Sequence, residues 1–165
     1  MIRSRIFRRE IGRRRGTTVV ETALILPIFL LFVLGLVELG HALLVNNVLR
    51  SACRVGARVG STDGNSTADV QQVVLNRLGS VVDPQAVQVF VKNGGVYDEG
   101  ATASESGSEL EALPDIELAD AEARQLFMVR AKVNYSDIAI VPSIPILGSF
   151  LDQVVLEGQV FMRHE

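Results

Sequence analysis

Cysteine and histidine are scarce in this chain of 165 residues, and their scarcity excludes several kinds of site. Because Cys53 is the only cysteine, no disulfide can form within one chain. We expect Cys53 to pack on a helix as a small apolar residue, with pairing between two chains as the alternative. His41 and His164 lie far apart, and no set of ligands surrounds either of them. The sequence therefore predicts no metal site and no cofactor.

The motifs of the common enzyme classes are also missing. There is no Gly-rich phosphate loop, no Gly-x-Ser-x-Gly, no His-Glu-x-x-His and no Cys-x-x-Cys. Scattered serines and aspartates without a usable histidine do not make a catalytic triad. We expect a protein that is not an enzyme and that has no small-molecule substrate.

Charge is absent from the sixteen residues between Glu21 and Glu38, TALILPIFLLFVLGLV. With its flanks, the apolar run covers residues 17–45, which would form about 43 Å of helix. This length exceeds the hydrocarbon core of a bilayer, which is about 30 Å thick. The sequence therefore predicts one transmembrane helix over residues 17–45.

Charge is distributed unevenly around this run. Residues 1–16 contain seven arginines and one glutamate, a formal charge of +6, whereas residues 17–165 carry −9. A basic flank favours the cytoplasmic side of a membrane, so we expect residues 1–16 to be a cytoplasmic leader and residues 61–165 an exported domain. A basic block that adjoins a membrane span does not indicate nucleic-acid binding.

Glu21 is unusual, because a charge at the edge of lipid is costly unless it is paired. Its position is understandable if a peptidase cuts after Gly16. Thr17 would then carry an α-amino cation with which Glu21 of a neighbouring subunit could pair. Glycine gives the proposed scissile bond a permissive backbone, and the preceding arginines hold that bond at the cytoplasmic surface.

These residues resemble a known signal. A basic leader, a glycine and then a glutamate at mature position five are similar to the class III signal of type IV prepilins. The stretch from Arg15 to Ser61 resembles more narrowly the TadE-like family, minor pilins (pseudopilins) of the tight-adherence, Flp-type pilus machinery. The elements that carry the resemblance are Arg15-Gly16, Val20-Glu21, Ala23-Leu24, Leu26-Pro27, Val37-Glu38 and Ala52 with Arg54-x-Gly56-Ala57-Arg58. Thr22 departs from the family, which usually has an aromatic residue there.

The resemblance implies a structural, single-pass protein of the bacterial inner membrane, with a cytoplasmic N-terminus and a role in pilus assembly or secretion. Its implied partners are the lipid bilayer, a prepilin peptidase that cleaves after Gly16, other pilin-like subunits and pilus assembly proteins. It leaves open whether the protein enters the fibre, primes assembly or stays in the membrane. The alternative is an uncleaved single-pass anchor that carries a binding module outside the cytoplasm.

Other targeting signals fit less well. The apolar region of a secretory signal peptide is about 7–15 residues long, shorter than this run. A lipoprotein signal ending at Cys53 would need an apolar residue where Arg50 stands. A twin-arginine signal lacks its Phe-Leu-Lys continuation here.

Two residues inside the run interrupt its apolar pattern. Pro27 removes a backbone hydrogen bond, so we expect a kink or local melting there. Glu38 lies near the far end, either as a charge at the interface or as a specific contact in the assembly. Glu21 and Glu38 fall on different helix faces and do not form one acidic site.

Residues 46–60 are predicted to continue the helix beyond the membrane. Two stripes with a spacing of four residues lie nearly opposite each other on this extension. The small stripe permits the close approach of another helix and consists of Ala52, Gly56 and Gly60. The basic stripe could contact acidic partners, lipid headgroups or solvent alone and consists of Arg50, Arg54 and Arg58.

The remaining sequence predicts an α+β domain. A capping box at Ser66–Asp69 opens an amphipathic helix that Gly79 ends. Alternating patterns predict strands from Val87, over residues 126–135 and over residues 154–162, which gives an antiparallel sheet of about three strands. The apolar residues 138–150 contain two prolines and predict a packed connector or an interfacial segment.

Residues 98–120 are acidic and have few large apolar side chains, so we expect a mobile, solvated loop. A divalent-ion site is the alternative, although the spacing fits no known Ca²⁺ loop. Its ligands would come from Asp98, Glu99, Glu105, Glu109 and Glu111.

Overall fold

The computed structural model of the chain describes residues 14–98, 107–140 and 153–165, with side chains from Thr18 onward. Residues 1–13 of the predicted leader and most of residues 138–150 lie outside this part. The chain divides into two compact units, residues 1–39 and residues 40–165.

The first helix, α1, runs from Arg14 to Gly60. Within the described residues it supplies one segment, Thr18–Gly60, that is long and apolar enough to cross a membrane, and its most apolar window has a mean hydropathy of 2.5. In the first unit every large apolar side chain of this helix is exposed, by 36–71%. The helix continues through Pro27 without a break, so the expected local melting is not present.

Helix α2, Thr67–Leu78, begins where the sequence predicts it. Ser66 accepts a hydrogen bond from the backbone N–H of Asp69, and the Asp69 carboxylate accepts one from the Ser66 backbone N–H. This reciprocal pair satisfies N–H groups that have no partner within the helix. The helix is capped at Gly79, and it buries one face through Val70, Val74 and Leu78.

Three antiparallel strands form one sheet in the order β1-β2-β3: Val87–Asn93, Leu126–Asn134 and Val155–Arg163. The central strand aligns Val129 opposite Val91 on one side and Val160 on the other. Since side chains alternate across a strand, this register places one apolar row of each strand on the same face. The predicted α+β class with a small antiparallel sheet is confirmed.

The core of the second unit lies between this apolar face and the two helices. The latter part of α1 contributes buried residues from Val45 to Ala57, α2 contributes its buried face, and β2 contributes Phe127 and the alternate residues that follow it. The end of β3 is fastened to the end of α1. His164 Nδ1 lies 2.9 Å from the carbonyl oxygen of Gly60, and the Glu165 N–H donates to Ser61 over 2.9 Å.

The other face of the sheet is covered by short segments of the acidic region. Helices α3, Gly95–Asp98, and α4, Gly107–Glu111, are followed by a 3₁₀ turn at Leu118–Asp120. Leu110 of α4 is fully buried, and Leu118 is fully buried in the core on the helix side of the sheet, near Gly60. The low apolar content predicts a mobile loop, but residues 107–120 hold helical turns and contribute to the packing. Two leucines are enough to anchor a segment that is otherwise polar.

Candidate functional site along the long helix

Glu21 lies on the exposed surface of α1, among exposed apolar side chains. No described residue forms an ion pair with it. Gly16 and Thr17 belong to the first turns of the same helix, but their surroundings lie outside the described side chains. The geometry therefore leaves the Glu21 carboxylate accessible to a cation from a second chain.

Pro27 and Glu38 occupy the same helix farther along. Pro27 is exposed, and Glu38 is half-buried. Glu38 is separated from Glu21 by seventeen residues of continuous helix, so the structure does not bring the two carboxylates together.

The small stripe of α1 is buried against elements of the same chain. A Cβ added to Gly56 would lie 2.5 Å from Val74 of α2, and one added to Gly60 would lie 2.8 Å from Leu118. Ala52 is also fully buried. These small residues therefore allow α2 to approach α1 closely, and in this chain the neighbouring helix is its own.

The basic stripe lies on the opposite, exposed side of α1. Arg50, Arg54 and Arg58 are all exposed, and none of them forms an ion pair with a described residue. The first two line a small groove together with Glu157 and Gln159 of β3. Exposed guanidinium groups at a spacing of one helical turn can bind carboxylates or phosphates.

Gly158 of β3 was not identified from the sequence, although it fixes the position of α1 on the sheet. A Cβ at this residue would lie 2.7 Å from the backbone nitrogen of Arg50, so only glycine fits beneath the helix. The Cys53 thiol donates to the Gly158 carbonyl oxygen over 3.2 Å. Burial raises the pKa of the Cys53 thiol to about 12, which leaves it inert as a nucleophile. A glycine within a strand pattern was the available signal.

Arg130 of β2 is a second residue that sequence reasoning missed. Its guanidinium is almost fully buried on the outer face of the sheet, where it donates to Glu157 and to the carbonyl oxygen of Gly107. Glu111 lies 3.7 Å away and also binds Lys132 at 2.7 Å. Glu157 of β3 and Glu111 of the acidic segment thus neutralise the cations of this sheet face.

These ion pairs also bear on the divalent-ion alternative. Asp98 pairs with Arg163, and Glu111 pairs with Lys132. In the described part of the chain no three His, Cys, Asp or Glu side chains form a group that could hold a metal ion. Glu99 and Glu105 lie outside that part, so the complete ligand set is not described.

The long apolar helix and the packed α+β unit that follows it indicate a membrane-anchored protein. Residues 16–58 match the family model described as TadE-like protein, the family that the sequence resembles. The match covers the apolar helix, the basic stripe and the small stripe as far as Gly56, and it indicates an association with the Tad pilus. No curated protein and no solved structure matches the chain.

Proposed function

We propose that this protein is a minor-pilin-like structural component of a tight-adherence pilus assembly or secretion apparatus in the bacterial inner membrane. Residues 1–16 form a cytoplasmic leader, residues 17–45 span the membrane, residues 46–60 extend the helix, and residues 61–165 form the domain outside the cytoplasm. A prepilin peptidase removes the leader after Gly16. The protein itself is not an enzyme.

The match to the TadE-like family over residues 16–58 carries this proposal. It begins at Gly16, after which cleavage is proposed, so residues 1–15 of the leader lie outside the matched region. The strongly basic leader and the exposed apolar helix support the orientation, because arginines are retained on the cytoplasmic side.

The proposed role of cleavage is electrostatic. Glu21 is exposed on an apolar helix surface and has no ion-pair partner among the described residues. A free amine on Thr17 of a neighbouring subunit would neutralise it, and a pair in low dielectric is far stronger than one in water. This pair would set the register between subunits.

N-terminal sequencing of the protein from cells with and without an active prepilin peptidase tests the cleavage. The expected mature chain begins at Thr17, and it is absent when the peptidase is inactive. A mature chain with any other first residue would reject the cleavage site. An intact 17.9 kDa form in peptidase-positive cells would instead support the uncleaved anchor with a binding module.

A matched pair of variants tests the registry role. Glu21→Gln should be processed but should co-purify poorly with other pilin-like subunits, because the amine loses its counter-charge. Glu38→Gln is the comparison, since it removes the other carboxylate of the same helix, and an equal loss in this variant would assign the assembly contact to both carboxylates. Equal assembly of wild type and Glu21→Gln would remove the registry role and leave the cleavage proposal standing.

The exposed basic stripe is the proposed contact with partner subunits, and the small stripe maintains the shape of the helix that presents it. Arg54→Glu should weaken co-purification with acidic partners without changing the fold, because Arg54 is exposed. Unchanged co-purification of this variant would indicate that the basic stripe does not contact partner subunits.

A further inference from the structure

A groove of about 590 Å³ lies within the second unit, between the start of its part of α1 and the corner that follows α2. Four apolar side chains line it, and the two leucines among them are more than half exposed. They are Leu43, Leu44, Val48 and Val81. A Cβ added to Gly40, which also lines the groove, would meet nothing within 4 Å. The groove is therefore open and has room for an external group.

The polar lining of the groove has one chemical character. It consists of Asn47, Ser51, Arg77 and Ser80, all of which can donate hydrogen bonds. Among the residues that the structure describes, no aspartate or glutamate lines the groove, although the chain outside the leader is acidic. An exposed guanidinium beside hydroxyl and amide donors is suited to a phosphate, and the adjacent leucines and valines are suited to hydrocarbon.

The position of the groove along the chain limits its distance from the bilayer. The proposed span of residues 17–45 forms about 43 Å of helix, which matches a bilayer that is about 40–45 Å thick with its headgroup layers. Leu43 and Leu44 are near the end of this span, within about 3 Å of helix from its last residue. The headgroup layer on each side of the core is about 5–7 Å thick. The leucines of the groove therefore lie at the level of the headgroups.

We propose that this groove binds the phosphate-bearing headgroup of a phospholipid, with Arg77 as its cation, and thereby docks the exported unit on the outer surface of the membrane. Anionic phospholipids should bind more tightly than zwitterionic ones, because their headgroups carry a net negative charge. This proposal rests on the membrane-anchored orientation and is independent of cleavage after Gly16. An apolar helix of a neighbouring subunit is the rival occupant, but it would leave the guanidinium without an acceptor.

A fluorescence experiment on the full chain tests the proposal. The chain is placed in nanodiscs at one copy per disc, and a single environment-sensitive dye is attached to Gly79→Cys. Gly79 is exposed and precedes Ser80 in the chain, but it does not line the groove, and the nearest atom to an added Cβ there lies 3.4 Å away. Ala68→Cys, an exposed position at the far end of α2, is the matched control. Cys53 does not compete for the dye, because it is buried and its pKa is about 12. Lipids with a nitroxide on the headgroup should quench the dye at position 79 severalfold more strongly than at position 68.

Variants at Arg77 identify the ligand. In Arg77→Gln, the fraction of anionic lipid needed for half-maximal quenching should rise about fivefold, which corresponds to about 1 kcal/mol for one basic residue at an anionic surface. Arg77→Lys keeps the charge and should restore most of the wild-type behaviour. Both substitutions are at an exposed helical position and introduce good helix formers, so the fold should be kept.

Three results would overturn the proposal. Equal quenching at positions 79 and 68 would show that the corner after α2 does not contact lipid. Quenching that is unaffected by Arg77→Gln would remove the headgroup site. Protection of position 79 that appears only when several copies share a disc would assign the groove to a neighbouring helix. N-terminal sequencing gives an independent result for the cleavage in each case.

Discussion

The two parts of α1 differ in what surrounds them, although they belong to one continuous helix. From Val19 to Leu39 the apolar side chains are exposed on all sides, whereas from Val45 to Gly60 the buried positions recur every three or four residues. A helix that is apolar all round requires lipid or protein on every side, and a helix with one apolar stripe requires a core on one side. One continuous helix is thus suited to an apolar surrounding in its first part and to the edge of a protein core in its second part.

The same substitution should therefore destabilise the second unit when it is made in the second part of α1 and leave its stability unchanged when it is made in the first part. Leu49→Ala should lower the free energy of unfolding of the second unit by about 3 kcal/mol, because Leu49 is fully buried and the substitution leaves a cavity. Leu31→Ala, whose side chain is 54% exposed, should leave it unchanged. The measurement is the reaction of Cys53 with a maleimide as urea is increased. Equal losses of the free energy of unfolding in both variants would contradict the difference between the two parts of α1.

A methyl group added to a glycine should likewise distinguish the two regions. Gly158→Ala should lower the free energy of unfolding by about 2 kcal/mol, because the new Cβ would meet the backbone of α1 rather than a movable side chain. Gly35→Ala is the control, since nothing lies within 4 Å of its added Cβ. The same thiol assay applies. Wild-type stability of Gly158→Ala would show that α1 does not pack on β3 at this point.

A smaller effect is expected at the start of α2, which helps to hold α1 in the second unit. Ser66→Ala should lower the free energy of unfolding by about 1 kcal/mol, because it removes the oxygen that caps the Asp69 N–H. Ser66→Thr keeps a capping oxygen and should be close to wild type. Denaturant titrations of the two variants compare them, and equal losses would show that the cap is unimportant.

The smallest predicted effect is a loss of local stability in the first turn of α2 at low pH. Hydrogen bonds from the side chain and then the backbone of Ser66 lower the pKa of Asp69, and a hydrogen bond from the Thr67 N–H lowers the pKa of Glu117. A lowered pKa contributes stability above the ordinary value and loses it as pH falls through the folded value. Amide exchange in the first turn of α2 should therefore accelerate below about pH 4 relative to its last turn, after correction for the intrinsic pH dependence. In Asp69→Asn this extra acceleration should be reduced.

Local patterns were sufficient for most of the elements. The capping box, the apolar spacing of α2 and the alternation in β1, β2 and β3 predicted those elements to within about one residue at most ends, because each pattern reflects the nearest neighbours along the chain. The resemblance to the TadE-like family also came from a continuous stretch, which is why the sequence alone could reveal it.

Contacts between distant residues could not be predicted in this way. Gly158 and Arg50 are separated by more than a hundred positions. A glycine in a strand pattern can signal the close approach of another backbone, but nothing in its neighbourhood indicates that this backbone belongs to α1. The alternating pattern of residues 126–135 gave no sign that Arg130 is buried. Its guanidinium is held by Glu157 of β3 and by Gly107 and Glu111 of the acidic segment, which arrives from elsewhere in the chain.

The sequence by itself determined that the chain contains a membrane-length apolar helix and an α+β unit, because hydrophobic length and periodicity act over short distances along the backbone. Only the tertiary structure decided that the small stripe of α1 packs on α2, that its basic stripe stays exposed, and that a donor-lined groove forms beside Leu43 and Leu44. These outcomes depend on which surfaces meet when the core closes, and that choice is made by packing between residues far apart in the chain.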